Sequence, residues 1–190
     1  KLFGGGLVEI RLIGDFFDDC YRAALTYSEA DAVPMVPPFD HKDIIEGQAT
    51  VALEIEQQMP GKRWPDMMIL PVGGGGLAAG VTKFAAEQGA TTRFVFCEPS
   101  GAPSLETSLS QGKRVKLPVV DNFVDGAAVA EIGREPFKQL AKFTAADVHL
   151  IPENRLCATM IEMLNVEGVV LEPAGALAVD GLKDFSRKEL

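Results

Sequence analysis

The sequence is poor in the residues that mark metal centres and disulfide-stabilised proteins. It has three cysteines and two histidines among 190 residues, and no two cysteines form a C-x-x-C pair. An odd number of scattered cysteines argues against a disulfide framework and against a structural zinc site. The same pattern is typical of a reducing compartment. We therefore predict a cytoplasmic protein without a zinc site.

Positive charge is also scarce. The 18 basic residues face 27 acidic ones, which gives a net charge of −9 at pH 7. Because this excess repels nucleic-acid phosphates and anionic lipids, we expect neither a nucleic-acid partner nor a membrane partner. Long apolar runs are absent too, since none approaches the roughly 20 residues that span a bilayer. Any anion site must then be a local pocket and not a basic face.

Glycine, by contrast, is abundant, and residues 73–76 are four consecutive glycines. An apolar run at 67–70 precedes this glycine loop and a helix-forming run at 77–88 follows it, which predicts a strand, a turn and a helix. Glycine lets a ligand approach the backbone closely, and the free N–H groups and dipole of a helix start favour an anion. No lysine follows as it would in a nucleotide P-loop. We predict an anion site here; the alternative is a flexible turn without a ligand.

Strand and helix patterns alternate along most of the chain. This alternation predicts an α/β fold with a doubly wound, mainly parallel sheet. The predicted strands are residues 7–13, 33–36, 67–72, 93–97, 148–151 and 169–171. In such sheets ligands bind at the carboxyl ends of the strands. The loops expected there are residues 73–76, 98–99 and 172–173.

The spacing of these residues does not by itself decide which ligand binds at the glycine loop. Gly73-x-Gly75-x-x-Ala78 fits the looser dinucleotide fingerprint, and Glu98 ends the next strand at a suitable distance to hold a ribose. That fingerprint does not account for four consecutive glycines. A cofactor with a single phosphate is the second interpretation, and a phosphate-binding module without catalysis is a third.

Several motifs together are more specific. They are Gly14-Asp15-x-Phe17-Asp18, Pro38-Phe39-Asp40, Gly47-Gln48-x-Thr50-Val51-Ala52-x-Glu54-Ile55, Pro71-Val72-Gly73-Gly74-Gly75-Gly76-Leu77, Glu98-Pro99-x-Gly101-Ala102, Phe123-Val124-Asp125-Gly126-Ala127-Ala128-Val129 and Glu172-Pro173-Ala174-Gly175-Ala176-Leu177. In this order they resemble the biosynthetic threonine dehydratases (threonine ammonia-lyases), which are fold-type-II, tryptophan synthase β-like enzymes dependent on pyridoxal 5'-phosphate.

The resemblance implies a lyase of isoleucine biosynthesis, with pyridoxal phosphate as its cofactor and a small amino acid as its substrate. Such an enzyme removes the Cα proton and the β-hydroxyl of L-threonine, and releases 2-oxobutanoate and ammonia. The cofactor stabilises the negative charge that develops at Cα. A homo-oligomer is also expected. Serine dehydratase and serine racemase remain alternatives within the same family.

The resemblance also implies which residues bind the cofactor. The glycine loop and the Leu77 amide would hold the phosphate, Gly126 would lend a backbone contact near the ring, and Glu172 lies in a motif close to the site. The full set of expected cofactor-binding residues is Gly73, Gly74, Gly75, Gly76, Leu77, Gly126 and Glu172.

Two parts of the family pattern are missing. No lysine stands in the family's Ser-x-Lys-x-Arg-Gly context, so the Schiff-base lysine is expected upstream and no catalytic residue is assigned here. Ser104 stands where a second acid would follow Glu98 in relatives that bind a divalent cation, so no metal site is predicted. We expect an incomplete catalytic domain that is inactive alone, with 1–36 the remainder of a small domain and 37–190 the large pyridoxal-phosphate-binding domain.

Overall fold

The computed structural model describes residues 5–185, except for the side chain of Lys62. The chain divides into two compact units, Lys1–Val36 and Pro37–Leu190. Their assignment as parts of a small and a large domain remains a prediction. No helix within the described range combines the length and the apolar character needed to cross a bilayer.

The first unit is built on helix α1, Phe17–Ala30, in which the rings of Phe17 and Tyr21 stack with centroids 5.8 Å apart. The strands predicted at 7–13 and 33–36 are wrong, because both segments are irregular and largely exposed. A strand exists only when a neighbouring strand accepts and donates its hydrogen bonds. Within the described part of this unit, neither segment has such a neighbour.

The second unit contains a parallel sheet of three strands. They are β1 (Met67–Pro71), β2 (Arg93–Pro99) and β3 (Val148–Ile151), in the order β1-β2-β3. Met67 pairs with Arg93 and Pro71 with Cys97, so the predicted parallel pairing of these two strands is confirmed. The strand predicted at 169–171 is wrong, since this segment is irregular and Val170 is 81% exposed.

Helices connect and cover the strands. They are α2 (Lys42–Gln58), α3 (Gly76–Glu87), α4 (Ser104–Gln111), α5 (Arg134–Leu140), α6 (Glu153–Glu162) and α7 (Pro173–Leu182). Helix α2 begins at Lys42, directly after its N-cap residue His41. The His41 Nδ1 accepts a hydrogen bond from the Asp43 amide, 3.2 Å away, and caps the helix.

The two faces of the sheet bury different helices, as expected for side chains that alternate along a strand. Met68, Leu70, Phe94 and Phe96 pack in one cluster with residues of α2 and α3. On the other face, Cys97 and Ile69 pack with residues of α6 and α7. The sheet is therefore parallel and covered on both sides, which confirms the doubly wound prediction.

Candidate functional site

The glycine loop, residues 73–76, joins the end of β1 to the start of α3. Gly75 has a φ of 87°, in the left-handed region that favours glycine, and it immediately precedes the helix. The first recorded bond of α3 runs from the Ala79 amide to the Gly75 carbonyl, at 2.9 Å. The amides of residues 73–78 have no acceptor within the described part of the chain. This run of free donors lies at the positive end of the α3 dipole.

Each glycine of the loop is tightly enclosed. A Cβ on Gly73 would lie 2.9 Å from the Ala127 Cα, and one on Gly75 would lie 2.7 Å from the Ile132 Cδ1. A Cβ on Gly74 would overlap the Phe39 ring. Close packing therefore accounts for the glycines, together with the positive φ at Gly75. The loop is held in place by its surroundings and is not a flexible turn.

The loop forms one wall of a cavity of about 350 Å³. The start of α7 and the loop that contains Gly126 form other walls. The predicted cofactor-binding residues that line this cavity are Gly73, Gly74, Gly75, Gly76, Leu77, Gly126 and Glu172. The structure thus brings together every residue of the predicted set, although their roles in binding remain predictions.

Gly126 and Glu172 meet on the wall of the cavity. A Cβ on Gly126 would lie 3.3 Å from Glu172 Oε1 and 3.0 Å from the Ala174 Cβ, so only glycine fits this approach without a shift. Glu172 is the N-cap residue of α7, but its side chain accepts no capping hydrogen bond. Glu172 is exposed, and its carboxylate has no ion pair or hydrogen bond within the described residues. It is therefore available to a ligand.

Glu98 does not belong to this cavity. Its side chain is fully buried, and its oxygens accept hydrogen bonds from the amides of Leu105, at 2.7 Å, and Glu106, at 2.9 Å. The Ser104 hydroxyl donates a third bond at 3.3 Å. Burial raises the pKa of Glu98 to about 7, although these three donors act to lower it. Because its carboxyl group satisfies the start of α4, Glu98 is not free to hold a ribose, and the dinucleotide interpretation loses its support.

Sequence reasoning gave no role to several residues that shape the cavity. Phe39, Ile44 and Gln48 line it, and the Ile132 side chain packs against Gly75. Phe39 and Gln48 each lie in a motif that carried the family resemblance, which was the available signal. Nothing in the local pattern placed either of them beside a loop more than 20 residues away. Among the described residues, no group of three or more acidic, histidine or cysteine side chains is arranged to hold a metal ion.

Comparison with known proteins identifies the family. Residues 1–190 match the family described as "Pyridoxal-phosphate dependent enzyme". The chain belongs to this family. The resemblance seen in the motifs, the fold class and the cofactor prediction are thereby confirmed. The glycine loop fits the cofactor's phosphate, because it offers free amides in a cradle that side chains would fill.

Within this family, the chain is similar to several individual proteins. The chain is 38% identical over 190 residues to the biosynthetic L-threonine dehydratase of Halalkalibacterium halodurans, an alignment that covers 100% of the chain and 45% of that protein. The processed form of threonine deaminase isoform 2 from Solanum lycopersicum has a TM-score of 0.80 and 36% identity, covering 90% of the chain and 49% of the tomato chain. Maize serine racemase has a TM-score of 0.78 and 26% identity, covering 87% and 50%. The chain spans about half the length of the relatives it matches.

Proposed function

We propose that the full-length protein is a threonine ammonia-lyase that converts L-threonine into 2-oxobutanoate and ammonia with pyridoxal phosphate. The observation that carries the proposal is the 38% identity, over all 190 residues, to a biosynthetic threonine dehydratase. A cytoplasmic location agrees with the three free cysteines, Cys20, Cys97 and Cys157. A homo-oligomer remains a prediction.

The glycine loop would hold the cofactor's phosphate through its amides and that of Leu77. The dipole of α3 favours the negative charge, and the backbone donors are already oriented before binding. No basic side chain lines the cavity within the described residues, so backbone donors would supply the attraction. When bound, pyridoxal phosphate supplies the electron sink that stabilises negative charge on the substrate's Cα.

Glu172 would act at the wall of the cavity that the start of α7 forms. An ionised carboxylate can only accept hydrogen bonds, so it would pair with an N–H or O–H group of the cofactor or the substrate. The close approach of Gly126 limits how far the Glu172 side chain can move. Because Gly126 has no side chain, only its backbone would face the cofactor, which leaves room for the cofactor's ring.

In the proposed enzyme, the lysine that binds the cofactor covalently would not be one of the residues that line the cavity. Among the described residues, no lysine lines the cavity. Since covalent catalysis needs an amine placed at the cofactor's aldehyde carbon, the 190-residue chain by itself should not turn over threonine. Purified alone and supplied with the cofactor, it should form no stoichiometric lysine adduct that borohydride can trap.

The test is to assay the full-length protein for 2-oxobutanoate from L-threonine, with and without added pyridoxal phosphate. Cofactor-dependent formation of 2-oxobutanoate and ammonia is expected. Pyruvate from L-serine with little activity on threonine would favour a serine dehydratase. D-serine from L-serine would favour a racemase, an alternative supported by the similarity to maize serine racemase. Phosphate binding with no turnover of either amino acid would contradict an enzymatic function.

A further inference from the structure

The orientation of one peptide in the glycine loop is fixed from outside the loop. The Gly74 carbonyl accepts a hydrogen bond from the Gly133 amide, 3.1 Å away. The carbonyl and the N–H of a trans peptide point in opposite directions. The N–H of Gly75 therefore points away from Gly133. Without this bond, glycine's conformational freedom would let the peptide rotate.

The Phe39 ring fills the space around the same peptide. A Cβ on Gly133 would lie 3.0 Å from Phe39 Cδ2, and one on Gly76 would lie 3.2 Å from Phe39 Cβ. A Cβ on Gly74 would overlap the ring itself. The ring is thus packed against both partners of the hydrogen bond between Gly74 and Gly133. In this position the ring would oppose rotation of the loop backbone, because close-packed atoms leave little room for a displaced carbonyl.

Asp40 anchors this ring to the helix that carries Gly133. Its Oδ1 accepts a hydrogen bond from the Glu135 amide at 2.7 Å, in the first turn of α5. Gly133 is the N-cap residue of that helix. Phe39 and Asp40 therefore contact the start of α5 together, although they lie 95 residues from it along the chain.

We infer that Phe39 is a positioning residue, which holds the amides of the glycine loop in the orientation that binds phosphate. This inference rests on the proposed role of the loop in binding the cofactor's phosphate. Donors that are oriented in advance bind an anion without the entropic loss of ordering the loop. Removal of the ring should therefore weaken phosphate binding selectively and leave recognition of the rest of the cofactor intact.

The experiment compares two ligands that differ in the phosphate alone. The full-length protein and its Phe39→Leu and Phe39→Ala variants are titrated with pyridoxal phosphate and with pyridoxal, followed by absorbance and fluorescence. For Phe39→Leu we expect about a tenfold loss of affinity for pyridoxal phosphate, a change of about 1.4 kcal/mol, and a larger loss for Phe39→Ala. Affinity for pyridoxal should change less than about twofold, so the ratio of the two affinities falls.

Phe143→Leu is the matched control. Phe143 is partly buried against the core, where it packs on Phe96 with ring centroids 4.9 Å apart, and it does not line the cavity. The Phe143→Leu change should lower the melting temperature without changing the ratio of the affinities for pyridoxal phosphate and pyridoxal. If both Phe39 variants fail to fold, Asp40→Ala supplies the measurement, because it releases the anchor and keeps the ring. It should lower the ratio by about threefold.

The outcomes separate this inference from the proposed function. Wild-type protein that binds pyridoxal phosphate, combined with an unchanged affinity ratio in the folded variants, would overturn the positioning role alone. Equal losses for both ligands would also overturn it, since they indicate a general structural effect. Wild-type protein that binds pyridoxal as tightly as pyridoxal phosphate would overturn the proposed phosphate site and the positioning role together, while the assay for 2-oxobutanoate tests the proposed activity separately.

Discussion

Glu98 and Glu172 share a local sequence and differ in almost everything else. Each stands directly before a proline, and both were expected at the ligand-binding edge of the sheet. Glu98 is fully buried and accepts hydrogen bonds from the start of α4. Glu172 is exposed, its carboxylate makes no hydrogen bond or ion pair within the described residues, and it lines the cavity. The Glu-Pro dipeptide is therefore not sufficient to predict the environment of its carboxylate, because the surrounding packing decides whether that group is buried and bonded or exposed at the cavity.

Removal of the buried carboxylate should have the largest effect on stability. Glu98→Ala removes the acceptor of the Leu105 amide in a buried position and that of the Glu106 amide in a partly buried one. We expect the free energy of unfolding to fall by about 3 kcal/mol, because each buried unsatisfied donor carries a desolvation penalty. Urea denaturation of the full-length protein measures this loss. A change below about 0.5 kcal/mol would show that Glu98 does not support α4.

Titration of the Glu98 carboxyl group should also change the stability of the fold. Because burial raises the pKa of Glu98 from 4.5 to about 7, the folded state binds a proton that the unfolded state has released. The contribution of Glu98 to stability is therefore present below pH 4.5 and lost as the pH rises through 7. Between pH 5 and pH 7 we expect a loss of about 2 kcal/mol.

The measurement is the difference between wild type and Glu98→Gln, which cannot titrate. Carboxylates whose pKa is lowered, such as Asp184 beside Arg155 and His149, act in the opposite direction and cancel in this difference. The free energy of unfolding of the wild type, minus that of Glu98→Gln, should fall by about 2 kcal/mol from pH 5 to pH 7. Parallel pH profiles would contradict a raised pKa at Glu98.

Substitution of the glutamate that lines the cavity should leave the stability of the fold unchanged. Glu172→Gln should change the free energy of unfolding by less than about 0.5 kcal/mol, because no bond within the described chain is lost. Affinity for pyridoxal phosphate or turnover of threonine should fall by about tenfold, or about 1.4 kcal/mol. Glu167→Gln, at an exposed glutamate that lies outside the cavity, is the matched control. Equal effects of the two changes would remove Glu172 from the site.

The sequence predicted those elements whose structure depends on neighbouring residues along the chain. Helix α3 and the glycine loop were predicted within a residue, because free amides, glycine and amphipathic spacing are local properties. Strands β1 and β2 were also predicted, since continuous apolar runs mark buried strands. The strand predicted at 7–13 was wrong because its apolar pattern is compatible with a strand but does not supply a partner.

Contacts between distant segments could not be predicted in the same way. Phe39 and Ile132 enclose a loop at 73–76, yet neither position carries a periodic or compositional signal that points to that loop. The buried state of Glu98 was equally hidden, because a strand-end acid before proline suits either a solvent-exposed cap or a ligand. Only the folded arrangement shows which donors surround it.

The glycine loop has a consequence for how the cofactor's affinity responds to acidity. Backbone amides do not ionise in the physiological range, so a phosphate held by them as proposed meets donors whose charge is the same at every pH. The pH dependence of that contact would then come from the ligand's own second ionisation, near pH 6 for a phosphate monoester. Protonation of Glu98 would alter the stability of the fold, while occupancy of the loop would follow the charge on the phosphate.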